Sequence, residues 1–224
     1  MRHKLAAVAA SLTLLAGSLW AAQGKNSHRF DPARVVSTAG TLYPLGGTVS
    51  GTVILEVTVE KTGKVGNIIV VRGVPKLTDE AERSIRQWKF KPAQLEGQSV
   101  AAPVLAAFTF SLSLPWSSGP HHPQPRRRES ALYEPIGIIS TSPVNNPTPD
   151  IAFGAVTLQA TVEATGVVGE IETMDGISPL AEEAERGVRQ WKFLPGRFEG
   201  SPLATPMVAV FLFSDAPLSR CSRF

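Results

Sequence analysis

Arg86-Gln87-Trp88-Lys89-Phe90-Lys91-Pro92 recurs as Arg189-Gln190-Trp191-Lys192-Phe193-Leu194-Pro195, 103 residues further on. The same spacing relates Glu80-Ala81-Glu82-Arg83 to Glu183-Ala184-Glu185-Arg186, and it runs without a gap from Gly51/Gly154 to Phe110/Phe213. Roughly half of the positions so aligned are identical. A single fixed period of that fidelity is the mark of a duplicated unit, and it governs how every other feature is read.

Working outward from the Trp-Lys-Phe stretch, the preceding residues have helical spacing. Leu77, Ala81, Ile85 and Trp88 fall on one face, as do Leu180, Ala184, Val188 and Trp191. Asp79 and Glu80 at the start and Arg83 and Arg86 towards the end suit the helix dipole. Upstream, Val53, Leu55, Val57 and Val59 alternate with Thr52, Ile54, Glu56, Thr58 and Glu60, the period of a strand with one buried face. Lys61-Thr62-Gly63-Lys64 is a turn, and Val65 to Val71 a second β-branched run, so a hairpin is expected. Copy two repeats this with Val156 to Val162, a turn at Thr165-Gly166, and Val168 to Met174. Downstream, a loop holding Gly97 or Gly200 leads to a last strand, Val104 to Leu112 or Met207 to Phe213. Each unit is therefore expected to be α+β, a ββαβ arrangement with one helix on a three-stranded antiparallel sheet.

The ends of the chain speak to location. Arg2 and Lys4 precede an apolar run from Leu5 to Trp20, followed by Ala21-Ala22, which reads as an export signal over residues 1–22. The alternative is an uncleaved inner-membrane anchor, since the run approaches spanning length. The one cysteine, Cys221, excludes an intramolecular disulfide, so stability must come from packing. Two of the positive charges behind the net +3 sit in the signal, which leaves no basic excess of the kind nucleic-acid binding needs. The expected layout is copy one over 42–114, a Pro/Arg-rich linker over 115–135, and copy two over 141–214.

The pattern resembles the C-terminal domain of TonB, the periplasmic energy transducer of Gram-negative envelopes. The residues that carry it are Gly51, Val53, Leu55, Val59, Gly63, Trp88, Phe90, Pro92, Gly97, Phe108 and Phe110, with their copy-two counterparts. Tyr43-Pro44 looks like the Tyr-Pro that often precedes that domain, where copy two is read as having Ser142-Pro143. The resemblance implies a periplasmic protein-binding module that holds an extended segment of an envelope or outer-membrane protein by strand addition. It also implies a role in energy transduction to outer-membrane transport. It further implies that the last strands offer the binding edge, through Val104, Ala106, Phe108 and Phe110 and through Met207, Ala209, Phe211 and Phe213. The chain departs from TonB in its doubled domain and in lacking a long spacer before copy one.

Chemistry-bearing clusters are sparse. Trp88 and Trp191 close amphipathic helices and are expected in the cores. Lys89, Lys192, Arg86 and Arg189, like the Glu-Ala-Glu-Arg tetrads, read as solvated faces with i,i+4 pairs Glu82–Arg86 and Glu185–Arg189. His121-His122 lack the spacing of a metal site, and Arg126-Arg127-Arg128 read as part of the linker. No nucleophile–base set recurs in the copies, so the expectation is a non-enzyme without cofactor or metal. The alternative function is a structural, self-associating envelope protein, a homo-oligomer or a chain whose edge strands pair copy to copy.

Overall fold

The computed structural model describes residues 29–43, 49–112, 132–147 and 153–214. The first half comprises β1 (Phe30–Asp31), β2 (Arg34–Ser37), β3 (Gly51–Val59), β4 (Val65–Arg72), α1 (Thr78–Ile85), β5 (Lys89–Lys91), β6 (Ala93–Leu95), β7 (Gln98–Val100) and β8 (Ala102–Leu112). The second half runs through β9 (Tyr133–Glu134), β10 (Gly137–Ser140), β11 (Gly154–Val162), β12 (Val168–Asp175), α2 (Ser178–Gln190), β13 (Lys192–Leu194), β14 (Gly196–Phe198), β15 (Ser201–Leu203) and β16 (Thr205–Ser214). The molecule is sheet-rich, with the two expected helices, and its class is α+β.

The hairpins form where the alternation places them. β3 pairs antiparallel with β4, and β11 with β12. Gly63 takes φ 79° in the first turn, and a side chain there would run into the Phe90 carbonyl. Gly166 (φ 83°) stands in the same relation to Phe193. Glycine is needed at both points for its left-handed backbone and for the close approach. Each hairpin then joins the last strand of its own half, β3 with β8 and β11 with β16.

The two halves do not form separate sheets. They merge into one six-stranded sheet, ordered β12-β11-β16-β8-β3-β4, in which β8 and β16 lie side by side and parallel. That junction swaps the faces of the two units. Val53, Leu55, Phe108 and Phe110 face α1, whereas Val156, Leu158, Phe211 and Phe213 face α2 on the opposite side. Side chains level with one another in adjacent strands share a face. Equivalent residues such as Ala106 and Ala209 must face opposite sides here, so they cannot be level. The register accordingly slips by one, and Ala106 lies beside Val208.

The cores are shared as a result. Val208, Val210 and Leu212 of β16 complete the core beneath α1, and Ile54, Leu105 and Ala107 complete the one beneath α2. Each such aliphatic side chain, removed from water, contributes on the order of 1.5–3 kcal/mol for the larger ones.

Short arms lock the merger, and they lie outside the expected unit boundaries. β2 pairs with β5, and β10 with β13, while β1 joins β6-β7 and β9 joins β14-β15. The Val35 amide donates to Gln159 Oε1 at 2.9 Å, tying the first arm to the second half. The spacing of 103 extends through these arms, from Phe30-Asp31-Pro32 to Tyr133-Glu134-Pro135 and from Ser37-Thr38 to Ser140-Thr141. Each structural unit thus starts about a dozen residues or fewer before the expected boundaries of 42 and 141. The end of the expected linker is also a strand, β9. At constant spacing the counterpart of Tyr43-Pro44 is Asn146-Pro147, not Ser142-Pro143.

Candidate interaction margins

The strands expected to offer open edges are interior. β8 is paired with β3 on one flank and β16 on the other, and β16 with β11 and β8. Val104, Ala106, Phe108 and Phe110 are all buried beneath α1, and Met207, Ala209, Phe211 and Phe213 beneath α2. Their placement as an open edge is therefore corrected: from Ala106 and from Val208 onward each last strand already has, in the other, the neighbour that a partner's strand was expected to supply, and Val104 and Met207 lie just before that pairing. A sequence signal for this existed. In β16 the alternate set Val208, Val210 and Leu212 is as apolar as Met207, Ala209, Phe211 and Phe213. A strand apolar on both faces belongs inside a sheet covered on both sides.

Other expectations hold at the level of single side chains. Trp88 and Trp191 are buried, each with its indole N–H donating at 3.3 Å to an arm carbonyl, Ala39 O and Ser142 O respectively. Arg86 reaches Glu82 at 3.6 Å, as expected for an exposed i,i+4 pair. Glu80–Arg83 and Glu183–Arg186 form i,i+3 pairs. The expected Glu185–Arg189 pair is not the contact these two make: Glu185 accepts from Thr173 Oγ1 at 2.9 Å, and Arg189 donates to the Gly169 carbonyl at 3.2 Å. Lys89 and Lys192 are exposed.

The open margins of the six-stranded sheet are the outer strands β4 and β12, and they are chemically unlike. β4 reads Val-Gly-Asn-Ile-Ile-Val-Val-Arg, with no acidic residue and with Val70 41% exposed. β12 reads Val-Gly-Glu-Ile-Glu-Thr-Met-Asp, and Glu170, Glu172 and Asp175 are all exposed. At constant spacing these three replace Asn67, Ile69 and Arg72. Arg72 lies level with Ile54 at the end of β4. Its Nη1 is buried without a hydrogen-bond partner, and burial lowers its pKa from the ordinary arginine value.

Among the described residues there is no group of three or more His, Cys, Asp or Glu able to hold a metal, and no helix long and apolar enough to cross a membrane. The export segment, His121-His122, Arg126-Arg127-Arg128 and Cys221 lie outside the described residues.

With this geometry in hand, the family comparison is specific to the first unit. Residues 48–112 match the family model of the Gram-negative bacterial TonB protein C-terminal. The matched TonB stretch begins just before β3 and ends with β8, and it covers under half of the chain. The second half is assigned as a copy by the internal repeat, not by the TonB model. A TonB C-terminal domain is a non-enzymatic protein-interaction domain of the periplasm or envelope, and that is the setting the match implies. Comparison of the chain with curated proteins gives no match.

Proposed function

We propose that the chain is a periplasmic, TonB-like protein-binding module whose two units form one platform, and that this platform holds an extended segment of an envelope or outer-membrane protein by strand addition at an outer margin. The observation that carries this is the β8–β16 junction. It occupies the strands that a lone unit would leave open, so that the outer strands of the large sheet are β4 and β12. An open margin is a template for a further strand, which supplies backbone hydrogen bonds while alternate side chains set specificity. Coupling to outer-membrane transport would further require the segment before Ala21-Ala22 to remain as an anchor. The mature N-terminus, read by mass spectrometry, decides between a coupled transducer and a free adaptor.

A photo-crosslinking residue placed at Asn67 or at Glu170 of the full chain in a Gram-negative envelope tests the reading. An adduct with an envelope protein from at least one margin is expected. Adducts from neither margin would overturn it and favour the second reading, a structural envelope protein without energy transduction. The copy-to-copy pairing of β8 and β16 is the observation on that side.

A further inference from the structure

Resting on that reading, we infer that only one margin receives a partner: β4 accepts a single extended segment that is β-branched and carries a carboxylate level with Arg72, while β12 is closed to strand addition. Two observations on the two edges support this independently. The first is the distribution of charge. Edge strands avoid unwanted pairing by carrying charged residues, and β12 carries Glu170, Glu172 and Asp175 on its exposed positions with no basic residue among its eight. An incoming strand would have to place its own residues level with those carboxylates and desolvate them. β4 has Asn67 and Ile69 where β12 has Glu170 and Glu172, and it presents a half-buried, β-branched surface to a strand that would pack beside it. Like charges directly opposite one another destabilise a strand pair, and opposite charges favour it.

The second observation is Arg72. A guanidinium nitrogen buried without a hydrogen-bond partner is a costly arrangement, relieved when a carboxylate arrives. Burial also disfavours its charged form, which a negative group brought level with it would offset. At the equivalent position β12 has the exposed Asp175, which has the sign of the expected ligand and would repel it. The duplication has therefore yielded one receptive edge and one guarded edge. The stoichiometry is one segment per chain, in place of the two-site avidity that the repeat alone suggests.

The constant spacing supplies the test, because each edge can be transplanted onto the other. The probe is a soluble decapeptide of alternating Val and Thr with one central Asp, alongside the same peptide with Lys in its place. Amide chemical shifts of the full chain are followed as each is added to millimolar concentration. The Asp peptide is expected to shift residues 65–72 but not 168–175, and to bind at least three-fold more tightly than the Lys peptide. The triple variant Asn67→Glu, Ile69→Glu, Arg72→Asp should lose these shifts while keeping the native spectrum elsewhere. The reciprocal variant Glu170→Asn, Glu172→Ile, Asp175→Arg should gain a second site on β12. Because the second variant reads a gain, it holds even if the first folds poorly. Shifts on β12 of the natural protein, or equal binding of both peptides, would overturn the inference and leave strand addition standing. No response at either margin would overturn both.

Discussion

At the scale of single residues, the two units show how a duplicated core drifts by compensated pairs. In the first, Thr41 Oγ1 and Ser84 Oγ share a buried hydrogen bond of 2.6 Å. Their counterparts are Val144 and Gly187, an apolar side chain seated on a helix position with no room for a Cβ. Either pair is satisfied and a mixed pair is not, since it leaves a clash or an unpaired hydroxyl. Gly187→Ser should cost about 1–3 kcal/mol, and adding Val144→Thr should recover much of that loss; urea denaturation of the two variants measures the coupling. Gly63→Ala forces a side chain onto a left-handed backbone and into the Phe90 carbonyl, and should cost roughly 1–3 kcal/mol by the same assay. The two tyrosines of the chain give an alkaline signature. Burial raises the pKa of Tyr43 to about 12 and also raises that of Tyr133. A raised folded value means no loss below the ordinary tyrosine pKa near 10, and a loss of stability as pH climbs from there through about 12. Tyrosinate absorbance should therefore stay low at pH 11 in the folded protein and rise with unfolding.

At the scale of elements, the hairpins, helices and last strands were legible because each carries a clear period. Val53, Leu55, Val57 and Val59 alternate, and Leu77, Ala81, Ile85 and Trp88 recur at helical spacing. What the period could not reveal was the neighbour of a last strand, because backbone pairing leaves no mark on side-chain alternation. The mark lay in the other face, where Val208, Val210 and Leu212 stand where a half-exposed strand would carry polar residues. Val210→Asp discriminates the arrangements. With separate units Val210 would face water and the change would cost little. In the merged sheet it carries a charge into the core beneath α1 and should cost more than about 3 kcal/mol in denaturant unfolding. The arms are illegible for a different reason. β1, β2, β9 and β10 are two to four residues long, too short to show periodicity, and only the continuing spacing of 103 betrays them.

At the scale of the whole molecule, an aromatic group holds the two arms together. Phe30 lies 4.6 Å from its own counterpart Tyr133 and stacks at 4.9 Å on Phe198. Residues 29–112 alone would expose Ile54, Leu105, Ala107 and the flank of β8 from Ala106 to Leu112, so this fragment should not persist as a folded monomer in sedimentation. Family likeness pointed to the kind of domain and the kind of work. It did not identify which strands are outermost, because that depends on how two copies meet, and neither copy specifies the meeting by itself. The central claim is that β8 and β16 are interior strands of one sheet, and hydrogen exchange of the intact chain tests it most directly. Amides of residues 106–111 and 208–213, where the two strands pair, should exchange only on global unfolding and at matched rates, with alternate amides of β4 and β12 far faster. Alternate amides of β8 or β16 exchanging as fast as those of the outer strands would contradict it.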